Sequence, residues 1–208
     1  MDRYPWEAAR PFHQILDWWG AERDRWLVHA GALAWGDGAV LVVGGSGAGK
    51  STTCAAAAAA GLEHLGDDLC LVEPGTPPMV HRAYTTTKLL PDAVTRLGLD
   101  SADGSGPLVD GKTVFRLPTA TGSGSVRLVG VLVLEIGDAS ATTTAPTARG
   151  TALRALAPGS TLNFPVTAKA KFPVLASLLR VLPAETLVLG SDPAGVAPAV
   201  MEVVERWR

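Results

Sequence analysis

Short apolar runs alternate with glycine- and aspartate-rich turns over the first third of the chain. Two such runs, at 26–34 and 39–43, flank a turn at 36–38, and this pattern predicts a β-hairpin. Six consecutive alanines follow at 55–60 and predict a helix, because alanine has the highest helix propensity. A glycine ends this run, and a further short strand is predicted beyond it, at 69–72.

The same alternation of strand and helix patterns continues to the end of the chain, which predicts the α/β class. Strands are predicted at 79–90, 113–117, 126–135 and 186–190, and helices at 6–19, 151–156, 172–181 and 195–206. Gly-, Asp- and Ser-rich composition predicts loops at 98–113 and 118–125, and the Ala/Thr-rich segment 139–147 is predicted to face solvent. We expect residues 1–25 to form a helical lead and residues 26–208 to form the catalytic domain.

The most specific motif lies between the strand predicted at 39–43 and the alanine-rich helix. Residues 44–51 match the pattern G-x-x-x-x-G-K-[ST], in which backbone N–H groups surround a phosphate. The predicted nucleotide-binding residues are Gly44, Gly45, Ser46, Gly47, Ala48, Gly49, Lys50, Ser51 and Thr52. Lys50 is expected to reach the β- and γ-phosphates and Ser51 to hold Mg²⁺, while the helix N-terminus adds its positive dipole end. The sequence therefore predicts that the protein binds ATP and Mg²⁺.

Composition narrows the location and the partners. The chain has 208 residues, 47% of them hydrophobic and 18% charged, and its net charge of −2 provides no basic field for nucleic acid or a membrane surface. Its two cysteines do not make a disulfide framework, and no metal-ligand spacing is present. The first residues lack the apolar core of a signal peptide, and no apolar run has the length of a membrane span. We expect a cytoplasmic protein without nucleic-acid or membrane partners.

Asp67 and Asp68 are the candidate acidic residues of a phosphoryl-transfer site. Such a site needs a carboxylate near Mg²⁺ and a group that accepts the proton of the attacking hydroxyl. The pair precedes the apolar strand at 69–72, whereas the usual metal-binding aspartate of phosphate-loop enzymes ends a hydrophobic strand. Because adjacent side chains of an extended backbone point to opposite sides, one carboxylate can face the metal and the other the substrate.

Residues 29–72 resemble the catalytic domain of the bacterial HPr kinase/phosphorylase, in which a histidine-bearing hairpin leads into a phosphate loop and an Asp-Asp pair follows. His29 lies 15 residues before Gly44, and the aspartates lie 17 and 18 residues after Lys50, which are the spacings of that family. The resemblance implies a phosphate-loop NTPase fold of the HPr kinase/PEP carboxykinase-like type. Its central mixed β-sheet would contain the hairpin that leads into the phosphate loop.

The resemblance also implies roles for the site residues. Asp67 would be the catalytic base toward a serine-like hydroxyl, Asp68 would lie near Mg²⁺ with Ser51, and His29 would orient or tune the aspartates beside the loop. Either aspartate remains open to either role. The implied activity is that of an ATP-dependent kinase that phosphorylates a serine of a peptide or protein, as do stand-alone HPr-kinase-like proteins of peptide natural-product pathways.

Several alternatives stay open at this stage. The second signature of the bacterial regulator, centred on Glu-x-Arg-Gly, is absent, and Arg82 stands at the corresponding distance. A small-molecule hydroxyl kinase, a carboxykinase relative, a non-kinase phosphate-loop ATPase and a nucleotide sensor are the competing functions. Further cations that could meet phosphate or an acidic substrate are Lys88, Lys112, Arg116, Lys169, Lys171 and Arg180. Lys112 follows a glycine-rich segment, 103–111, that is a candidate lid, and the tryptophan-rich lead is a candidate surface for a homo-oligomer.

Overall fold

The computed structural model describes residues 9–100, 104, 111–117 and 124–208. Within them the chain forms eleven strands and six α-helices, which confirms the α/β class. The strands are β1 (Trp26–Val28), β2 (Gly31–Trp35), β3 (Gly38–Val43), β4 (Glu63–Gly66), β5 (Cys70–Glu73), β6 (Met79–His81), β7 (Thr86–Leu89), β8 (Thr113–Arg116), β9 (Ser125–Ile136), β10 (Thr143–Pro146) and β11 (Ala184–Leu189). The helices are α1 (His13–Ala21), α2 (Lys50–Ala59), α3 (Pro91–Arg96), α4 (Arg149–Leu162), α5 (Ala168–Val181) and α6 (Val196–Trp207), and a short 3₁₀ helix, Pro193–Gly195, precedes α6.

Nine of these strands form one mixed sheet around β9, in agreement with the predicted mixed sheet. One path through the sheet has the order β1-β5-β6-β9-β3-β2-β4. β3 runs parallel to β9 along one edge, while the other edge of β9 takes β6 antiparallel near its start and β11 parallel near its end. β10 pairs with β11, and β7 and β8 form a separate two-stranded sheet.

Helices cover both faces of the sheet, so its central strands are apolar on both sides. Leu41 and Val43 of β3 pack on one face with residues of α4 and α5, and Val40 and Val42 pack on the other face with residues of α2 and α6. β3, β9 and β11 are parallel, so their C-terminal ends meet at one edge of the sheet. The N-terminus of α2 lies at that edge, where open α/β sheets usually bind ligands.

The connection into α2 begins with an antiparallel pair. β2 and β3 pair from Gly31 opposite Val42 to Trp35 opposite Gly38. Gly36 turns the chain with a φ of +62°, a left-handed value that glycine adopts without steric cost. β3 then passes through residues 44–49 directly into α2.

The segments 26–34 and 79–90, each predicted as one strand, are each broken in two, and those predictions were wrong. Val28 of β1 pairs with β5, whereas β2 pairs with β3 and β4, so the chain changes partners at residues 29–30. The second segment divides in the same way, because β6 joins the large sheet and β7 pairs with β8. A further strand, β4, was not predicted, and the aspartate pair follows it directly.

The helices also differ from prediction at their ends. α4 is longer than the predicted 151–156 and continues through Pro158, and α1 extends to Ala21, beyond the predicted end at residue 19, while residues 6–8 of that prediction lie outside the described residues. The predicted loops 98–113 and 118–125, with the candidate lid, lie largely outside the described residues. Part of the Ala/Thr-rich segment forms the strand β10, whose residues are exposed or half-buried. None of the helices in the described parts of the chain is long and apolar enough to cross a bilayer.

Candidate functional site

The loop between β3 and α2 has the backbone form that its glycines predict. Gly47 and Gly49 have φ values of +80° and +93°, which a residue with a Cβ adopts only with strain. A Cβ added to Gly44 would lie 2.9 Å from the Cβ of Ala48, closer than real Cβ contacts come. Three glycines are therefore required to close this loop over the first turn of α2.

Lys50 is the first residue of α2, and its side chain folds back over the loop. Its Nζ donates to the carbonyl oxygens of Gly44, at 2.8 Å, and Gly45, at 3.1 Å. The residue is only 8% exposed. Burial lowers the pKa of Lys50, and the nearby carboxylates of Asp68 and Asp67 act in the opposite direction. The ammonium group is therefore fixed at the mouth of the loop, where the motif places phosphate oxygens.

Asp67 lies beneath the surface and has a raised pKa. It is 2% exposed, and its Oδ2 accepts a hydrogen bond of 2.6 Å from the Thr87 hydroxyl. Its Oδ1 is buried and makes no well-aligned hydrogen bond with any described residue, although the Ser51 hydroxyl is near enough to lower the pKa. Burial and the charge of Asp68 outweigh the hydrogen bonds and raise the pKa of Asp67 to about 6.

Asp68 is surrounded by cationic and imidazole nitrogens. Its Oδ2 lies 3.1 Å from Arg10 Nη1 and 3.9 Å from Lys88 Nζ, and its Oδ1 lies 3.4 Å from His29 Nδ1. Burial acts to raise the pKa of Asp68, but the neighbouring positive charges, led by Arg10, outweigh burial and hold the pKa below its usual value. The two adjacent aspartates therefore have opposite environments.

His29 lies at the break between β1 and β2 and is positioned by α4. Its backbone N–H donates to the Ser160 hydroxyl at 2.9 Å, and that hydroxyl donates to the Leu156 carbonyl at 2.7 Å. A Cβ on Gly159 would lie 2.6 Å from Cδ2 of the His29 ring, so the ring packs directly on the backbone of α4. Burial lowers the pKa of His29 more strongly than Asp68 raises it, and the imidazole is therefore neutral at pH 7.

A cleft of about 440 Å³ connects these groups. The predicted site residues that line it are His29, Ser46, Gly47, Gly49, Lys50, Ser51, Thr52 and Asp68. Lys88 and Lys112 also line it, while Ile136 of β9, Leu189 of β11 and Pro193 form an apolar wall at the sheet edge. The cleft thus joins cationic groups suited to phosphates with an apolar wall.

The structure brings together most of the predicted site, with two differences in its arrangement. Asp67 lies behind the cleft wall, and it is Asp67, instead of Asp68, that neighbours Ser51. Lys171 does not reach the cleft, because its Nζ is buried 2.6 Å from Asp17 Oδ1. Arg116, Lys169 and Arg180 are not among the residues that line it.

Sequence reasoning missed four residues that shape the site. Arg10 contacts Asp68, Thr87 binds Asp67, and Gly159 and Ser160 position His29. Thr87 belongs to a threonine triplet that the sequence shows, but no local pattern marks the others. All four lie far along the chain from the residues that they contact.

The residues present fit a nucleotide with Mg²⁺. The Asp67 carboxylate is near enough to the Ser51 hydroxyl for that hydroxyl to lower its pKa, and its buried Oδ1 makes no aligned hydrogen bond with a described residue. A carboxylate with a hydroxyl is a donor set that Mg²⁺ takes together with phosphate oxygens. The space beside Gly45 and Gly47 is open, because an added Cβ at either would meet nothing within 4 Å, and Gly47 lines the cleft. Ser51 and an aspartate would hold the metal, and the loop and Lys50 would hold the phosphates.

Fold and site together define a mixed-sheet α/β protein with a glycine-rich loop at the N-terminus of a helix. No protein-family model matches the chain, and no curated protein matches it. Among solved structures it is similar to the Hpr(Ser) kinase/phosphatase from Coxiella burnetii, with a TM-score of 0.42 and 10% identity, over 88% of this chain and 95% of that one. At this TM-score the likeness carries no weight for chemistry, and the roles assigned below come from the residues of this chain.

Proposed function

We propose that this protein is an ATP-dependent kinase that transfers the γ-phosphoryl group to a hydroxyl acceptor, in the first place a serine of a peptide or protein. The observation that carries the proposal is the placement of two adjacent carboxylates with opposite environments beside the glycine loop. Asp67 is buried next to Ser51, while Asp68 faces the cleft beside His29. A kinase site needs both a metal-side and an acceptor-side carboxylate.

The geometry favours a division of roles that reverses the one the resemblance implied. Asp67 would share Mg²⁺ with Ser51, because its carboxylate lies beside that hydroxyl and has one oxygen without an aligned hydrogen bond to a described residue. Asp68 would accept the proton of the acceptor hydroxyl, because it lines the cleft. Mg²⁺, when bound, neutralises charge on the β- and γ-phosphates.

The transfer then proceeds in one displacement. The acceptor oxygen forms a bond to the γ-phosphorus as the bond from that phosphorus to the β,γ-bridging oxygen breaks, and ADP leaves with the electron pair. The hydroxyl proton passes to Asp68, while Lys50 stays on the phosphate side of the loop. The Nδ1 of the neutral His29 is buried 3.4 Å from Asp68 Oδ1 without an aligned hydrogen bond to a described residue, and a hydrogen bond across this short gap would keep the carboxylate oriented toward the cleft without adding a fixed charge.

Labelled ATP tests the proposal directly. The protein is incubated with γ-labelled ATP and Mg²⁺ against serine-containing peptides and small hydroxyl compounds, and label in the acceptor is measured. Asp68→Asn should keep nucleotide binding and lose transfer, whereas Asp67→Asn should raise the Mg²⁺ concentration required for tight nucleotide binding. Asp37→Asn, at the exposed hairpin turn where Asp37 pairs with Arg208, is the matched control and should behave as wild type.

Each alternative function has its own outcome in this experiment. Label released only as free phosphate would indicate an ATPase, and tight binding with all label retained in ATP would indicate a nucleotide sensor. Transfer by Asp68→Asn at the wild-type rate would exclude Asp68 as the base. If Asp67→Asn abolishes transfer while the Mg²⁺ dependence of nucleotide binding is unchanged, Asp67 is the base, as the family resemblance implies.

A further inference from the structure

The N-terminal segment 9–21 reaches into the site through one side chain. Among the described residues, Arg10 is the nearest cation to Asp68, with Nη1 3.1 Å from Oδ2, closer than Lys88 Nζ at 3.9 Å. Its side chain is 17% exposed, so the guanidinium has given up most of its contact with water. It is not among the described residues that line the cleft, and it contacts the cleft-lining Asp68.

The guanidinium retains hydrogen-bonding capacity. Arg10 Nε and Nη1 are buried and form no well-aligned hydrogen bond with any described residue, even though Nη1 is within ion-pair distance of Asp68. Burying a guanidinium without full pairing is costly, because no protein group replaces the lost water. A fold retains an incompletely paired guanidinium where its positive charge is needed at a fixed position. The charge of Arg10 is held beside the carboxylate of Asp68, which faces the cleft.

β7 connects the segment to both aspartates through three consecutive residues. The Thr86 hydroxyl donates to the Ala9 carbonyl at 2.5 Å, the Thr87 hydroxyl donates to Asp67, and Lys88 lies beside Asp68. The neighbouring Tyr84 hydroxyl donates to the Pro11 carbonyl at 2.9 Å. The backbone on one side of Arg10 is thus held by β7, which also contacts both aspartates, and the backbone on the other side is held by Tyr84, two residues before β7.

A buried ion pair fixes the other end of the segment. Asp17 of α1 and Lys171 of α5 are 1% and 0% exposed, and their charged atoms lie 2.6 Å apart. Thr167 donates a hydrogen bond of 2.6 Å to the second oxygen of Asp17, and the Lys171 ammonium lies over the Phe164 ring at 4.2 Å. Separating a buried pair leaves an uncompensated buried charge, so this pair holds α1 against α5.

We propose that segment 9–21 is part of the active site and that Arg10 is the positioning residue that holds Asp68 for phosphoryl transfer. The proposal rests on the proposed kinase function for its kinetic readout, but not for its spectroscopic one. Arg10 acts from the segment on one oxygen of Asp68, and His29 acts from the β1–β2 connection on the other. Asp68 is held from both sides while its cleft face stays open.

The kinetic test compares Arg10, in segment 9–21, with Arg23, which lies two residues after that segment. Arg10→Met removes the charge and keeps the bulk, Arg10→Lys keeps the charge, and Arg23→Met is the control, since Arg23 is exposed and stacks on Trp19. We expect Arg10→Met to lower kcat for transfer at least about tenfold at unchanged affinity for ATP, and Arg10→Lys to recover part of it. Low concentrations of a guanidinium salt should raise the rate of Arg10→Ala and leave the wild type unchanged.

A second readout does not depend on turnover. With labelled Asp and His side chains, NMR reports the Asp68 carboxyl carbon and the His29 imidazole, and both signals should move in Arg10→Met and stay in place in Arg23→Met. A wild type that transfers no phosphoryl group to any acceptor would refute the kinase proposal alone, and the NMR comparison would still decide the role of Arg10. Unchanged NMR signals in Arg10→Met would overturn the positioning role. So would a loss of rate that is explained by a loss of folded protein and that added guanidinium salt does not restore.

Discussion

Gly159→Ala tests whether the position of the His29 ring controls activity, because the substitution should displace the ring while the protein stays folded. Gly159 lies inside α4, and a Cβ there would stand 2.6 Å from Cδ2 and 2.8 Å from Cγ of the His29 ring. Ordinary contact begins near 3.4 Å, so the ring and the helix must move apart by about 0.8 Å. The ring is the more mobile partner, and its shift changes the position of Nδ1 relative to Asp68.

The expected magnitudes differ for activity and stability. Alanine in a helix interior gains about 1 kcal/mol over glycine, while overpacking costs about 1 to 3 kcal/mol, so the net loss of stability should stay within about 2 kcal/mol. A displacement near 1 Å at a reacting group costs up to about 100-fold in rate. We therefore expect transfer to fall between about tenfold and 100-fold in a protein that remains folded at 25 °C.

The assay uses a matched glycine of the same helix. A Cβ on Gly150 would meet only the end of the Arg154 side chain, at 3.5 Å, so Gly150→Ala should keep full activity. Phosphoryl transfer, urea unfolding and the His29 imidazole signals are measured for both variants. The reasoning is refuted if Gly159→Ala keeps the wild-type rate and an unmoved His29 signal, or if both variants lose activity alike.

Further predictions concern acid stability, the buried ion pair and the loop lysine. Burial, assisted by the charge of Arg82, lowers the pKa of His64 to about 4, and the unfolded chain therefore binds a proton below pH 6.5 that the folded chain does not. Stability should fall by about 3 kcal/mol between pH 6.5 and 4, and urea unfolding of His64→Leu should show a flatter pH dependence; parallel curves would contradict this. Asp17→Asn leaves the Lys171 ammonium buried without its partner and should cost about 3 to 5 kcal/mol in urea unfolding, and a loss below about 1 kcal/mol would contradict the burial of the pair. Lys50→Met should weaken ATP binding in calorimetry by about 1.5 to 3 kcal/mol, roughly tenfold or more, and an unchanged Kd would remove Lys50 from the site.

The glycine loop could be predicted from sequence because its signals are local. An apolar strand, turn-forming glycines and a run of alanines each fix nearby backbone, and β3, the loop and α2 lie where those signals place them. β4 could not be predicted this way, since Glu63 and His64 do not form an apolar pattern and the strand exists through its pairing with β2. The break at residues 29–30 likewise follows from partners that lie far along the chain.

The contacts that shape the site are the least visible in the sequence. Arg10 and Asp68 are joined only when β7 binds both the N-terminal segment and the aspartates. Gly159 looks like an unfavourable residue for a helix until its contact with the His29 ring is known. Local propensity yields to function at that position, as is typical of residues that support a site.

The division of labour between Asp67 and Asp68 shows where sequence reasoning stops. The sequence predicts that the two side chains of an extended Asp-Asp pair point to opposite sides, whereas the structure has a bend at these residues, between β4 and β5, with one side chain buried and the other at the cleft. Which side is buried depends on the register of β7, where Thr87 faces Asp67 and Lys88 faces Asp68. A shift of β7 by one residue would bring either Lys88 and Leu89, or Thr86 and Thr87, to the places that Thr87 and Lys88 now occupy, and would change both carboxylate environments. The chemistry of the pair is therefore encoded in the small β7–β8 sheet, whose pairing runs from Thr86 opposite Arg116 to Leu89 opposite Thr113.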